Sequence, residues 1–276
     1  MKPHVSVVVP AFRNVQHLAE TLDSILNQTY QDYEVVVADH SSGDGSTALL
    51  ARYADHPKVR ILSPTPAGGG AVTNWNRVST EARGTLLKLV CADDLISRDA
   101  LETQVAVLDA NPSVVLVACQ RKVIDSKGRC MLKARGLGPL QGFVGGRQAI
   151  RASVRAGTNL FGEPGCVLMR RDVLERVGWW ESAFPYLIDQ ATYSKVMLHG
   201  DAYAIRGAYA SFRISNQQWS VRLARTQAIQ AQAFHRWMRE QEPDLISEWD
   251  ISVGGAKATL MANARRAAYY FLKSRM

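Results

Sequence analysis

Two adjacent aspartates, Asp93 and Asp94, close an apolar run formed by Leu86, Leu87, Leu89 and Val90. Side by side their charges repel, and each raises the proton affinity of the other unless a cation shares the space. The pair therefore suits a divalent metal with oxygen ligands. The competing reading is a solvated turn whose aspartate caps a helix expected over 97–109. A further acid, Asp39, follows the apolar segment 33–38, so it too stands at a strand end. The stretch Gly43-Asp44-Gly45-Ser46-Thr47-Ala48 carries the letters of a dinucleotide-binding turn, but its acid precedes the glycines and Ile61-Leu62-Ser63-Pro64 offers none later. No Gly-Lys-Ser or Gly-Lys-Thr phosphate loop and no nucleophile motif is present.

These acids need a scaffold that brings strand ends together. Residues 5–9 are β-branched and short, and Pro10 is expected to close the strand because proline cannot donate to a ladder. Leu18, Leu22, Ile25 and Leu26 then recur at helical spacing, 33–38 forms a strand, and the polar turn 41–46 caps a helix over 47–54. A strand at 59–62, a Pro- and Gly-rich turn and a helix through 76–82 lead to the run that ends in Asp93-Asp94. Four such alternations within ~110 residues predict an α/β fold with a doubly wound, mainly parallel sheet flanked by helices. Asp39 and Asp93-Asp94 then share the ligand-binding edge. Beyond, a strand is expected at 114–118, a hairpin at 120–133, strands at 166–169 and 202–214, and helices at 173–177 and 188–198. The glycine-rich segment 136–146 reads as a mobile lid or a plain connector, and the last sixty residues as a helical C-terminal extension.

With 276 residues, 47% of them hydrophobic, the chain can bury one sizeable core. Its net charge of +8, from 33 Lys and Arg against 25 Asp and Glu, favours anionic partners. Charge is the only feature that points to nucleic acid, and no nucleic-acid partner is expected. Cys91, Cys119, Cys130 and Cys166 show no CxxC spacing, which fits reduced thiols and a cytoplasmic setting. No apolar run reaches the ~18 residues of a membrane span. In 256–276, Leu260, Met261, Ala264, Ala268, Phe271 and Leu272 form one stripe of a basic amphipathic helix, expected to pack on the domain or to touch the inner face of the cytoplasmic membrane peripherally.

The segments VSVVVPAFRN, LDSILNQTYQDYEVVVADHSSGDGS, NWNRVSTEARGTLLKLVCADD and VLMRRDVLERVGWW, with Asp189 downstream, resemble in that order the nucleotide-sugar-dependent glycosyltransferases of family 2, which have the GT-A fold. The resemblance spans roughly residues 5–213. It implies a catalytic domain over 1–215, with a nucleotide-binding half (1–95) and an acceptor half (96–215), followed by the extension 216–276. It further implies that the loop from Pro10 through Ala11, Phe12 and Arg13 cups the base, that Asp39 accepts a hydrogen bond from it, and that Asn76 and Asp93 serve the rest of the donor. Asp94 would hold Mn2+ or Mg2+, and Asp189 would be the general base of an inverting transfer, with Glu163 in reserve. Trp179 and Trp180, with Glu163, are acceptor-side candidates, and Arg13, Arg77 and Lys88 candidates for the diphosphate.

The implied donor is a UDP-, GDP- or dTDP-sugar and the acceptor a glycan or lipid-linked sugar, in cell-surface polysaccharide or glycolipid synthesis. Departures from the family pattern are Cys91 for its first acid, His40-Ser41 for Asp-Gly after Asp39, and Ser215 where many relatives place a histidine ligand. Gln217-Gln218-Trp219 lacks the arginine of processive synthases. The alternative these departures leave open is a nucleotide-binding regulator without transfer activity.

Overall fold

The computed structural model describes residues 2–215, 223 and 226–271, the last three as backbone only. Gln217-Gln218-Trp219 and Leu272 lie outside the described residues. The β-branched N-terminal run forms β1 (Val5–Ala11), every residue of which is buried. It is followed by α1 (Val15–Leu26), β2 (Tyr33–Asp39), α2 (Ser46–Leu50), β3 (Val59–Ile61), α3 (Gly70–Thr80) and β4 (Leu86–Leu89). The four strands pair in parallel in the order β3-β2-β1-β4, so the predicted alternation is present.

Pro10 does not close β1. Pairing with β4 ends at Val8, whose carbonyl accepts the N–H of Val90, while Ala11 turns its carbonyl to His40 on the β2 side. Alternation therefore points the missing donor of Pro10 past the end of β4, where no ladder bond is lost.

The chain continues through β5 (Leu95–Ile96), α4 (Ala100–Ala110), β6 (Val114–Ile124), β7 (Cys130–Arg135), β8 (Gly142–Val144), α5 (Gly146–Ala156), β9 (Val167–Arg170), α6 (Arg171–Arg176), α7 (Ile188–Met197) and β10 (Asp201–Arg213). The sheet extends from β4 as β9-β6-β10-β5, with β7 on β6 and β8 on β10. β9 runs antiparallel to both β4 and β6, and β6 and β10 are parallel again. Residues 136–146 are a built connector: Leu137 and Leu140 are buried, and the N–H of Leu137 donates to the Leu160 carbonyl at 2.6 Å.

Both faces of the sheet are covered. Val5, Val7 and Val9 pack with Leu18 and Leu22 of α1 and with Leu101 and Leu108 of α4. Val8, Val36 and Leu87 face the other way, into a core with Val78, Ile150 and Tyr193. Two C-terminal helices, α8 (Gln227–Gln241) and α9 (Glu248–Phe271), add Phe234, Met238 and Ala258 to that second core.

The stripe expected to pack on α9 is not the one that does. Leu260 is 68% exposed and Ala264 and Ala268 are exposed, whereas Gly254, Ala258 and Ala262 are buried. The reason is proximity. A Cβ on Gly157, at the end of α5, would lie 2.4 Å from the Ala258 nitrogen, so the two helices meet backbone to backbone and only small residues fit between them. Among the described residues no helix is long and apolar enough to cross a membrane.

Candidate active site

A cavity of about 500 Å3 opens at the C-terminal ends of β1, β2 and β4. Pro10 comes from the end of β1 and Phe12 and Arg13 from the loop after it, His40 and Ser41 follow the end of β2, and Cys91, Ala92, Asp93 and Asp94 follow the end of β4. Gly68, Gly70, Asn74 and Trp75 line it from the start of α3, and Glu163, Tyr186 and Asp189 from the second half of the chain. Arg13 and Ser41 hold left-handed backbone at φ 53° and 49°, uncommon for residues with a Cβ and found at two points of one cavity wall.

Asn74, buried in the first half of α3, ties the ends of β1 and β2 together. Its Nδ2 donates to the carbonyls of Ala11 and Ala38 at 3.2 and 3.0 Å, and its Oδ1 accepts from Thr65 at 2.7 Å. The ring of Phe12 lies 5.6 Å from that of His40, which makes an aromatic corner beside Arg13. A flat, stackable ligand suits that corner.

On the acidic side, Asp94 is 3% exposed and its carboxyl is pushed well above the usual carboxylate range, first by burial and then by the charge of Asp93. Its Oδ1 accepts the backbone N–H of Arg213 at 3.0 Å; among the described residues nothing donates to Oδ2. Arg213 is itself 1% exposed. Its Nε donates to the Asp93 carbonyl at 2.9 Å and its Nη2 to Glu20 at 2.6 Å, so the end of β10 clamps the Asp93-Asp94 turn in place.

The donor set fits a hard divalent ion in one specific way. Among the described residues no three His, Cys, Asp or Glu side chains converge as a metal cage. Two buried, mutually repelling carboxylates with an oxygen left over suit such an ion where its remaining ligands come from outside the protein.

Asp189, in the first turn of α7, stands across the cavity. Burial raises its carboxyl to about 7, against which the Gln190 N–H and Asn159 favour ionisation. Those donors sit at 2.7 Å from Oδ1 and 2.9 Å from Oδ2. Cys91 lies among the charges of Asp94, Asp93, Asp189 and Glu163, and burial, before those charges, pushes its thiol well above its usual range. Glu163 is engaged elsewhere: its Oε1 accepts from Arg121 Nη2 at 3.0 Å in an ion pair, whereas the two donors to Asp189 are neutral.

Several expected contacts are not at the cavity surface. Asp39 is 2% exposed and its oxygens accept from the Ser42 N–H, the Ser42 hydroxyl and, at 2.8 Å, the Thr47 hydroxyl. It holds the turn that presents His40 and Ser41 rather than lining the wall itself. Ala11 stands behind the wall, its carbonyl taken by Asn74. Asn76 points away from the cavity, its Oδ1 accepting the Trp180 N–H at 2.9 Å.

Trp180 is a core residue at 3% exposure, edge-on to Trp75 with its Nε1 donating to Ser79, and Trp179 packs partly buried beside that core. Neither lines the cavity; Trp75 does. Lys88 is fully buried and donates to Gln104 at 2.8 Å, and Arg77 lies on the surface near Ser63. Neither lines the cavity. Sequence reasoning passed over Asn74, Trp75, Asn159 and the clamp made by Arg213. An Asn or Arg that is buried carries no sequence signal until the strand ends around it are in place.

A parallel-sheet edge that joins a stacking corner to an acidic wall defines an α/β protein of the GT-A type. The sequence profile for glycosyl transferase family 2 matches residues 6–178, and the chain belongs to that family. It is 31% identical to chondroitin synthase of Escherichia coli over 127 residues, which cover 46% of this chain and 18% of that protein. S. aureus TarS 1–349, solved with UDP-GlcNAc, superposes with a TM-score of 0.71 at 18% identity, over 94% of this chain and 72% of TarS. The mannosyltransferase PcManGT from Pyrobaculum calidifontis, solved with GDP-Man and Mn2+, gives 0.64 at 21%, over 99% and 81%. The chain thus spans a small part of the first of these relatives, and the two solved structures share its fold.

Proposed function

We propose that this protein transfers a sugar from a nucleoside-diphosphate sugar to a hydroxyl of a glycan or lipid-linked acceptor, with inversion. The carrying observation is that Asp189, a carboxylate raised to about 7, faces the same cavity as the Asp93-Asp94 turn. That value suits a group that takes a proton near neutral pH. The family membership and the nucleotide-sugar complexes of TarS and PcManGT support the donor class.

In this reading the base stacks at the Phe12–His40 corner, with Asp39 and Asn74 holding the two strand ends that form it. Asp94, with Asp93, would hold a Mn2+ or Mg2+ ion, which when bound stabilises negative charge on the leaving diphosphate. Asp189 takes the acceptor's hydroxyl proton as that oxygen forms its bond to the anomeric carbon. The bond from that carbon to the diphosphate oxygen breaks on the opposite face, so the configuration inverts. Asn159 keeps Asp189 oriented for that transfer.

The test is calorimetry of UDP, GDP and dTDP with and without Mn2+, followed by transfer assays with the sugars of whichever nucleotide binds. One nucleotide should bind, Mn2+ should tighten it, and transfer should follow. Failure of all three nucleotides refutes the reading; binding without hydrolysis or transfer supports a regulator instead.

A further inference from the structure

The chain's positive charge is not spread evenly. Residues 126–162 contain seven Lys and Arg and no Asp or Glu, so all but one of the eight surplus positive charges fall in this stretch. Its three α5 arginines are answered structurally: Arg147 pairs with Glu242, and Arg151 and Arg155 with the buried Asp250. The other four, Lys127, Arg129, Lys133 and Arg135, lie on the β6–β7 hairpin and are exposed, as is Lys122 on the partner strand. Arg129 pairs with Asp125 at 2.8 Å. Among the described residues no carboxylate lies within salt-bridge distance of Lys122, Lys127 or Lys133, although acids are common elsewhere on the molecule.

The hairpin is attached to the active site at two points. Arg121 of β6 reaches Glu163 in the cavity wall, and the carbonyls of Asp125 and Ser126 at the hairpin turn accept from Arg213, which clamps Asp94. In the antiparallel pairing Arg135 stands opposite Arg121 and Leu132 opposite Val123. Directly opposed residues share a face. Arg135 and the 49% exposed Leu132 therefore sit on the face that carries Arg121, while Lys122, the next residue of β6, is exposed on the other face.

An edge strand, β7, whose hairpin carries exposed cations and is rooted beside the acidic wall, is a track for a linear anion. We propose that the acceptor is an anionic glycan, a sugar chain bearing phosphate or carboxylate groups, and that the β6–β7 hairpin binds it through Lys122, Lys127 and Lys133. This rests on the transfer reading above. A bilayer surface fits less well, because among the described residues Leu132 is the one large hydrophobic exposed on the hairpin and gives little apolar area to bury in lipid.

The experiment measures binding of fluorescent dextran phosphate, carboxymethyl dextran and neutral dextran to the whole protein, without nucleotide, beside sedimentation with phosphatidylglycerol vesicles. Lys122→Gln/Lys127→Gln/Lys133→Gln is compared with the corresponding Glu variant, both checked by thermal melting. At least one charged dextran should bind, neutral dextran should not, and affinity should fall about tenfold between ~50 and ~300 mM salt as exposed charges are screened. The Gln variant should weaken binding by about tenfold and the Glu variant should abolish it, with nucleoside diphosphate affinity unchanged in both.

Equal binding by wild type and the Gln variant overturns the proposal, as does binding to vesicles but to neither charged dextran. Nucleotide affinity is a separate readout. If no nucleotide binds, the transfer reading has failed, whereas loss of the dextran response alone removes only the acceptor track.

Discussion

Asp189→Asn separates chemistry from binding and from folding in one protein. The side chain keeps its shape but cannot take a proton, so transfer should fall by about 10²–10⁴-fold while nucleoside diphosphate affinity stays put. Stability should move the other way. In the fold the carboxyl is raised from 3.8 to about 7, so the folded protein favours the neutral acid. Between those two values the unfolded chain ionises first and the wild type loses stability as pH rises. At 1.36 kcal/mol per pH unit the loss reaches about 4 kcal/mol above pH 7, and about 1.6 kcal/mol at pH 5.

These figures are ceilings, because the carboxylate keeps part of its surface open to the cavity and water there softens the cost. Asparagine also places an amide against one of two donors, the Gln190 N–H or the Asn159 amide, costing about 1 kcal/mol at every pH. The net expectation in chelator-treated protein is a gain of about 1–3 kcal/mol at pH 8.5 that shrinks to near zero at pH 5. Urea unfolding at the two pH values measures it. Single-turnover transfer on the same preparation should show a wild-type rate that climbs through about pH 7. A variant that transfers within a few-fold of wild type, or one whose stability difference is the same at both pH values, refutes Asp189 as the buried base.

Three further outcomes follow from neighbouring contacts. Asp94→Asn removes a carboxyl that burial and Asp93 already disfavour in ionised form; Mn2+ should no longer tighten nucleotide binding, and the metal-free melting temperature should hold or rise. A retained Mn2+ effect in calorimetry would place the ion elsewhere. Asn159→Ala deletes a hydrogen bond that favours ionised Asp189, so the acid limb of the pH–rate profile should move upward, with the high-pH rate largely kept. An unmoved limb would make Asn159 a spectator. Arg213→Met breaks the ties to Asp93, Asp125, Ser126 and Glu20, costing about 2–4 kcal/mol in urea unfolding and weakening the Mn2+ response as the Asp93-Asp94 turn loosens.

The frame of this site was legible because its signals are local. A β-branched run, a turn and an amphipathic helix announce a β-α unit one segment at a time, and acids at strand ends then fall on one edge by topology alone. What was not legible depends on which face a residue presents once elements pack. Trp179-Trp180 and Trp75 are equally aromatic in sequence, yet after the left-handed turn at Gly178 Trp180 enters the core with Trp179 packed beside it, while Trp75 rides α3 at the cavity. On α9 the eye follows large apolar residues, whereas helices that touch backbone to backbone select Gly254, Ala258 and Ala262.

Asp39 shows the same limit at finer scale. Its position at a strand end was readable, but Ser42 and Thr47, three and eight residues on, take up its oxygens in the folded turn. A carboxylate so satisfied and so buried shapes the cavity wall through the backbone it holds. On that argument Asp39→Asn, which keeps most of the turn's hydrogen bonds, should cost little nucleotide affinity. Asp39→Ala frees the Ser41-Ser42 backbone and should weaken nucleotide binding by about 1–3 kcal/mol. A direct contact with the base would instead make both variants lose affinity alike in calorimetry, and that result would return Asp39 to the cavity surface.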